Sequence, residues 1–176
     1  HASQNRRICE IELSAGEYRR WRNRFVKTVD AAYGRAPQFG PTRALLDSVL
    51  GCGAQTIGEL ARRSVEVVSA TLGLTARIEP SSRIYGNGQL KGQERILDIC
   101  MRERATLYIN PQGGRALYAS EDFIRREMAL RFIRSRLPAY RQFGHPFVTA
   151  LSILDVLMFN PIETVRGMMA EYDLEP

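Results

Sequence analysis

Leu74-Thr75-Ala76-Arg77-Ile78-Glu79, Ala105-Thr106-Leu107-Tyr108-Ile109 and Met128-Ala129-Leu130-Arg131-Phe132-Ile133 are three short runs of strand-forming residues, and a helical pattern separates each from the next. Strands that alternate with helices predict crossover units and a parallel sheet. The fold class expected is therefore α/β: a small, mostly parallel sheet with flanking helices and an N-terminal helical region. In such a sheet the strands end at one edge, and ligands lie outside those carboxyl ends. The segments that follow the strands are then the chemically loaded ones. They are Pro80-Ser81-Ser82 with the loop Tyr85-Gly86-Asn87-Gly88-Gln89-Leu90-Lys91-Gly92, the run Asn110-Pro111-Gln112-Gly113-Gly114, and Tyr140-Arg141-Gln142. Their convergence on one edge is the main functional expectation, and it requires the strands to be parallel.

Working outward, the chain before this block reads as helical. Ser14-Ala15-Gly16-Glu17 has the form of a capping box, and Tyr18, Trp21, Phe25, Val29 and Ala32 then recur every three or four residues up to Gly34. A short helix is expected over Thr42–Leu50. A second capping box, Thr56-Ile57-Gly58-Glu59, starts a helix that stops at Gly73. Ile8 to Leu13 reads as a strand with no evident partner. After the third strand, Phe147 to Phe159 reads as one apolar helix, and a last helix runs from Pro161 to about Tyr172. The expected organisation is one domain over 1–176, with a mainly helical part over 1–73, a βαβαβ core over 74–142 and C-terminal helices over 143–176.

A chain of 176 residues with 44% hydrophobic and 25% charged residues suits a globular protein that buries its own core. No apolar run approaches the roughly 18 residues needed to span a membrane. The net charge is +6, and Lys27 and Lys91 are the only lysines. Arginine forks suit phosphate, but the charges are scattered and do not interleave with aromatics as in single-strand binders, so nucleic acid is not the expected partner. The basic residues of the first helix, Arg19, Arg20, Arg22 and Lys27, are either a solvated face or a docking surface for an anionic substrate. Cys9, Cys52 and Cys100 make neither a disulfide framework nor a zinc pattern. His1, in a start without Met, reads as a tag remnant, which leaves His145 as the one native histidine. No metal and no cofactor are expected.

Gly86, Gly88 and Gly92 either make the loop flexible or bring backbone N–H groups close to an anion. The helix that begins near Gln93 adds the positive end of its dipole, and Lys91 stands at that point. The spacing is not that of a P-loop. Glu94 and Arg95 are adjacent on that helix and must have separate partners, in the loop or in a ligand. Gly113 and Gly114 after Asn110 either permit a positive-φ turn or let a substrate approach, with Tyr118 close behind. Asp155 lies within an apolar stretch, one turn after Ser152. A carboxylate there needs a partner: either an arginine at the core edge, or a role as a proton-accepting base.

Ser81-Ser82, Lys91-Gly92-Gln93-Glu94-Arg95, Ile99-Cys100, Tyr108 to Gly114, Leu117-Tyr118 and Leu151 to Asn160 occur in that order. Together with Trp21 and Tyr33-x-x-Ala36-Pro37-x-Phe39, the ordered set resembles the WbqC-like family. The resemblance implies a cytoplasmic enzyme of O-antigen or other surface-polysaccharide synthesis, with glycine or aminoacyl transfer to a sugar as the suggested activity. It implies a nucleotide-linked or lipid-linked sugar as partner, and it brings no established catalytic residues. Members of that family usually open with a Gln-Pro-x-x-Phe-Pro-x-x-Gly-Tyr-like segment and an Asp-rich strand. Neither is present, so the chain is expected to lack the family's start.

The site expected from the residues is then as follows. Asp155 and Lys91 are the catalytic candidates. The substrate-binding candidates are Ser81, Ser82, Gly86, Gly88, Gly92, Glu94, Arg95, Asn110, Gly113, Gly114, Tyr118 and Gln142. The alternative is a non-catalytic module that binds a nucleotide sugar or docks on a biosynthetic partner. A homodimer is compatible with either.

Overall fold

A computed structural model describes residues 6–144 and 146–176; the readings of His1 and His145 lie outside the described residues. The chain forms α1 (Ala15–Tyr33), α2 (Phe39–Leu50), α3 (Ile57–Thr71), α4 (Gly92–Arg102), β1 (Leu107–Pro111), α5 (Ser120–Ile124), β2 (Ala129–Ser135), α6 (Ile153–Phe159), α7 (Ile162–Met168) and β3 (Tyr172–Glu175), with 3-10 turns at Ile8–Glu10, Ser82–Tyr85 and Gln112–Leu117. The class is α/β, mostly helical. It divides into two compact units, His1–Ile78 with Ala139–Met168, and Glu79–Pro138 with Met169–Pro176.

The first unit is helical. Every third or fourth residue of α1 is apolar, so the helix turns one stripe inward. Val29 joins Ala36, Leu46, Leu50 and Met158 in one buried cluster, ringed by Phe25, Tyr33, Phe39, Phe143 and Phe159. Leu72, Leu157 and Val165 form a second cluster. Backbone groups left over at the helix ends find partners. Thr42 Oγ1 donates to the Leu157 carbonyl at 2.9 Å, and Gln38 N–H donates to that of Met158 at 2.9 Å. Arg166 Nε donates to the Leu72 carbonyl at 2.9 Å, across Gly73 at φ +71°. The helix starting at Thr56 has both halves of its capping box.

Two strand expectations fail here. Residues 8–13 form a 3-10 turn and a single bridge, Glu12 to Thr56, because the entry to α3 takes up their backbone groups. Residues 74–79 are irregular, and Leu74 is 44% exposed. Their alternation is real, but no strand among the described residues pairs with them to complete a ladder. The helix expected from Phe147 begins only at Ile153. Ser152 is its N-cap and accepts from Leu154 N–H at 3.2 Å, and Ala150 is held at φ +58°.

The second unit holds a three-stranded mixed sheet in the order β1-β2-β3. β1 and β2 are parallel, with Leu107 opposite Ala129 and Asn110 opposite Phe132. Helix α5 lies on the crossover between them. β3 is antiparallel to β2, with Leu174 opposite Ile133. The chain expected to end the last helix at Tyr172 therefore turns back as a strand after Met168. Carboxylates of β3 match arginines of β2: Arg134 pairs with Asp173 at 3.2 Å and with Glu175 at 2.8 Å. On one sheet face Leu130 and Phe132 of β2 cluster with Leu97, Cys100, Phe123 and Met128, and Phe123 is fully buried.

Candidate functional site

The three expected segments do not follow three parallel strands. The first follows irregular chain, and only β1 and β2 are parallel. Ser81, Ser82, Gly86, Gly88, Lys91, Gly92, Glu94, Arg95, Asn110, Gly113, Gly114 and Tyr118 belong to the second unit, whereas Gln142 and Asp155 belong to the first.

In the second unit the glycine-rich loop is clipped onto α4. Ser81 Oγ accepts from Arg83 N–H, and the chain turns left-handed at Gly86, φ +60°. Asn87, 2% exposed, donates to Asp98 Oδ2 at 2.7 Å and accepts from Arg95 Nε at 3.2 Å. Arg95 also donates to Ser82 Oγ at 3.0 Å. Arg102 joins Asp98 at 2.9 Å and the Tyr85 carbonyl at 2.8 Å. Arg95 thus holds the loop, and Asn87, which sequence reading passed over, is its buried peg. Lys91 is the N-cap of α4 and exposed, with no side-chain cap bond and no carboxylate partner among the described residues. Gly92 follows at φ +50° with open space where a Cβ would stand. Glu94 is exposed beside it.

At the end of β1, Asn110 Nδ2 donates to Tyr108 Oη at 2.7 Å and to Tyr118 Oη at 3.3 Å, and the two phenols lie 3.1 Å apart. Gly114 is buried, and a Cβ on it would collide with Asn110 Oδ1, so glycine is what lets this side chain fold back. Gly113 is exposed with open space around it. Burial, and then the bond to Tyr118, push the Tyr108 phenol up to about 12. Gln93 ties the start of α4 to the next helix, accepting from Ala119 N–H at 2.6 Å and donating to Asp122.

In the first unit Asp155 is 4% exposed, in the first turn of α6. It is not held by an arginine. Tyr33 Oη donates to Oδ2 at 2.9 Å; Tyr140 Oη and Gln142 Nε2 donate to Oδ1 at 2.5 and 3.0 Å. Gln142 is itself aligned by Val148, whose N–H it accepts at 2.9 Å and whose carbonyl it reaches at 3.1 Å. Phe159 packs edge-on against Tyr33 and Phe143, and Phe147 edge-on against Tyr140. Burial raises the phenols of Tyr33 and Tyr140 to about 12, helped by their bonds to Asp155 and by its charge. Both stay protonated donors across ordinary pH. Sequence reading placed Gln142 and Asp155 in the site but missed Tyr33 and Tyr140 as partners of the carboxylate. The one available signal was that a carboxylate in an apolar stretch must find donors.

Among the described residues, no group of three or more His, Cys, Asp or Glu side chains could hold a metal ion, and no helix is long and apolar enough to cross a membrane. The model of the WbqC-like protein family matches residues 1–167. The chain belongs to the WbqC-like protein family. This WbqC-like chain has no match among curated proteins, and none among solved structures.

Proposed function

We propose that this WbqC-like chain is a cytoplasmic transferase that modifies a nucleotide-linked or lipid-linked sugar in surface-polysaccharide synthesis, by glycine or aminoacyl transfer. The observation that carries the reading is Lys91. It stands exposed, with no partner among the described residues, at the positive end of an eleven-residue helix, between a tethered glycine-rich loop and Gly92. An ammonium so placed, beside helix N–H groups, suits a phosphate. In this reading Ser81, Ser82, Gly86, Gly88, Gly92, Glu94 and Arg95 shape the phosphate cradle. Asn110, the Gly113–Gly114 amides and Tyr118 position the acceptor. Asp155, oriented by Gln142 within the first unit, is the candidate for a proton-accepting base.

The test is a thermal-shift screen against nucleotides, nucleotide sugars, and glycine with ATP, followed by turnover assays. A ligand at a hundred times its Kd stabilises by about 2.7 kcal/mol, a rise in Tm on the order of 5–10 °C for a chain of this size. The expected result is a shift with one nucleotide sugar that Lys91→Ala abolishes, and turnover that Asp155→Asn abolishes. Unchanged affinity and activity in both variants would sink the assignment.

A second reading has its own observation. Both oxygens of Asp155 already accept hydrogen bonds from three neutral donors, which is how a carboxylate acts when it organises a core. That favours a non-catalytic module that binds the activated sugar. Binding without turnover, with Asp155→Asn altering stability alone, would select it.

A further inference from the structure

Arg19 and Arg22 lie three residues apart on α1, so both reach the same side of the helix. They line a cavity of about 250 Å³ together with Gly51, Gly53, Ala54 and Gln55 of the turn between α2 and α3. Among the described residues, no carboxylate lines it. Neither guanidinium has an ion pair or hydrogen bond among the described residues, although Arg43, Arg62, Arg102 and Arg134 all do. Two like charges set side by side without a counter-charge cost stability, and their placement points to a ligand that supplies one.

The turn is built to let them be approached. Tyr18 Oη donates to the Leu50 carbonyl at 2.8 Å, which fixes α1 against the end of α2 and occupies an acceptor close to the guanidiniums. At Gly51 a Cβ would press on the Asp47 carbonyl at 2.9 Å, and Arg22 Nη2 lies 3.6 Å from the same point, which places this guanidinium beside the turn. Gly53 is left-handed, φ +73°, with open space around it. The amide of Gly51 is taken by Asp47, that of Cys52 by Val49, and those of Gln55 and Thr56 by the Glu59 carboxylate. The N–H groups of Gly53 and Ala54 have no acceptor among the described residues, and both residues line the cavity.

We infer that this cavity is an anion site, with the Arg19 and Arg22 guanidiniums and the Gly53 and Ala54 amides holding a phosphate or diphosphate group. Successive amides in a turn that includes a left-handed residue form an anion-binding concavity, and guanidinium forks match phosphate oxygens in pairs. The volume accommodates the phosphate part of a ligand, with the rest extending into solvent. The site is in the first unit and does not depend on Lys91 or on the transferase reading.

The experiment is a pyrophosphate titration at low salt, read by calorimetry and by the amide NMR signals of Gly53 and Ala54. Saturable binding that shifts both signals is expected. Hydrogen bonds to charged groups are strong enough that Arg19→Gln and Arg22→Gln should each weaken it about ten- to a hundredfold. Circular dichroism should show α1 unchanged, since Gln is a good helix former. Lys91→Ala should leave the Gly53 and Ala54 response intact; its loss there, or an unaltered response in the double Arg variant, overturns the site. Vesicles of phosphatidylglycerol against phosphatidylcholine separate the sources. Vesicle binding that pyrophosphate competes away makes the group a lipid headgroup in this same cavity. Vesicle binding that pyrophosphate leaves untouched, with no shift at Gly53 or Ala54, overturns the proposal in favour of a diffuse basic surface.

Discussion

Tyr140 Oη donates to Asp155 Oδ1 at 2.5 Å, and Tyr33 Oη approaches the other oxygen at 2.9 Å, so two phenols far apart in sequence grip one buried carboxylate. Hydrogen bonds to a charged acceptor contribute about 1.5–3 kcal/mol each, and removing a donor leaves part of a buried charge unsatisfied. Tyr140→Phe should therefore lower unfolding stability by about 1.5–3 kcal/mol in urea titration with an unchanged slope. A loss near zero would mean that Gln142 or water replaces the phenol.

The same pair sets the alkaline limit of stability. Tyr33 and Tyr140 titrate at about 12 in the folded chain, against about 10 unfolded. Between these values the folded state keeps protons that the unfolded state has released. The contribution is thus complete below pH 10 and is lost as pH rises towards 12. Urea midpoints should fall over that window, and the drop should shrink in Tyr33→Phe/Tyr140→Phe. Phenolate absorbance should show tyrosines still protonated at pH 11.

Gly114 and Gly113 are neighbours with opposite tolerances. A Cβ at Gly114 would strike Asn110 Oδ1, whereas one at Gly113 meets nothing within 4 Å. Gly114→Ala should cost about 1–3 kcal/mol, the usual range for overpacking, and should loosen the Tyr108–Tyr118 contact that Asn110 bridges. Gly113→Ala should stay within about 0.5 kcal/mol, as surface changes do. Thermal denaturation of the two variants side by side checks this.

Asn87 fastens the glycine-rich loop to α4 through Asp98 and Arg95. Asn87→Ala strands the buried end of that network and should cost about 1–3 kcal/mol. Hydrogen exchange should quicken across residues 82–90 and stay unchanged in α1. Equal protection in wild type and variant would show that Arg102 and the left-handed turn at Gly86 hold the loop alone.

How much was legible can be followed residue by residue. The helices α1 to α4 could be read because their signals are local. Apolar residues recur with the period of the helix, Thr56 and Glu59 cap α3 within four residues, and Gly34 and Gly51 follow helix ends. The runs that became β1 and β2 could be read for the same reason, and with them the α/β class. Asp155 declared itself by being a carboxylate in an apolar stretch.

Only the tertiary structure decided which alternating runs are strands. A strand gains its hydrogen bonds from a neighbour distant in sequence. Residues 74–79 alternate as well as β3 does but pair with no strand among the described residues, whereas Tyr172–Glu175 lies along β2 with Asp173 opposite Arg134. The same holds for the partners of Asp155, which stand 15 and 122 residues away, and for the meeting of Arg19 and Arg22 with the turn at Gly53. Sequence fixes the needs of each side chain over a few neighbouring residues. Packing alone determines which distant group meets them.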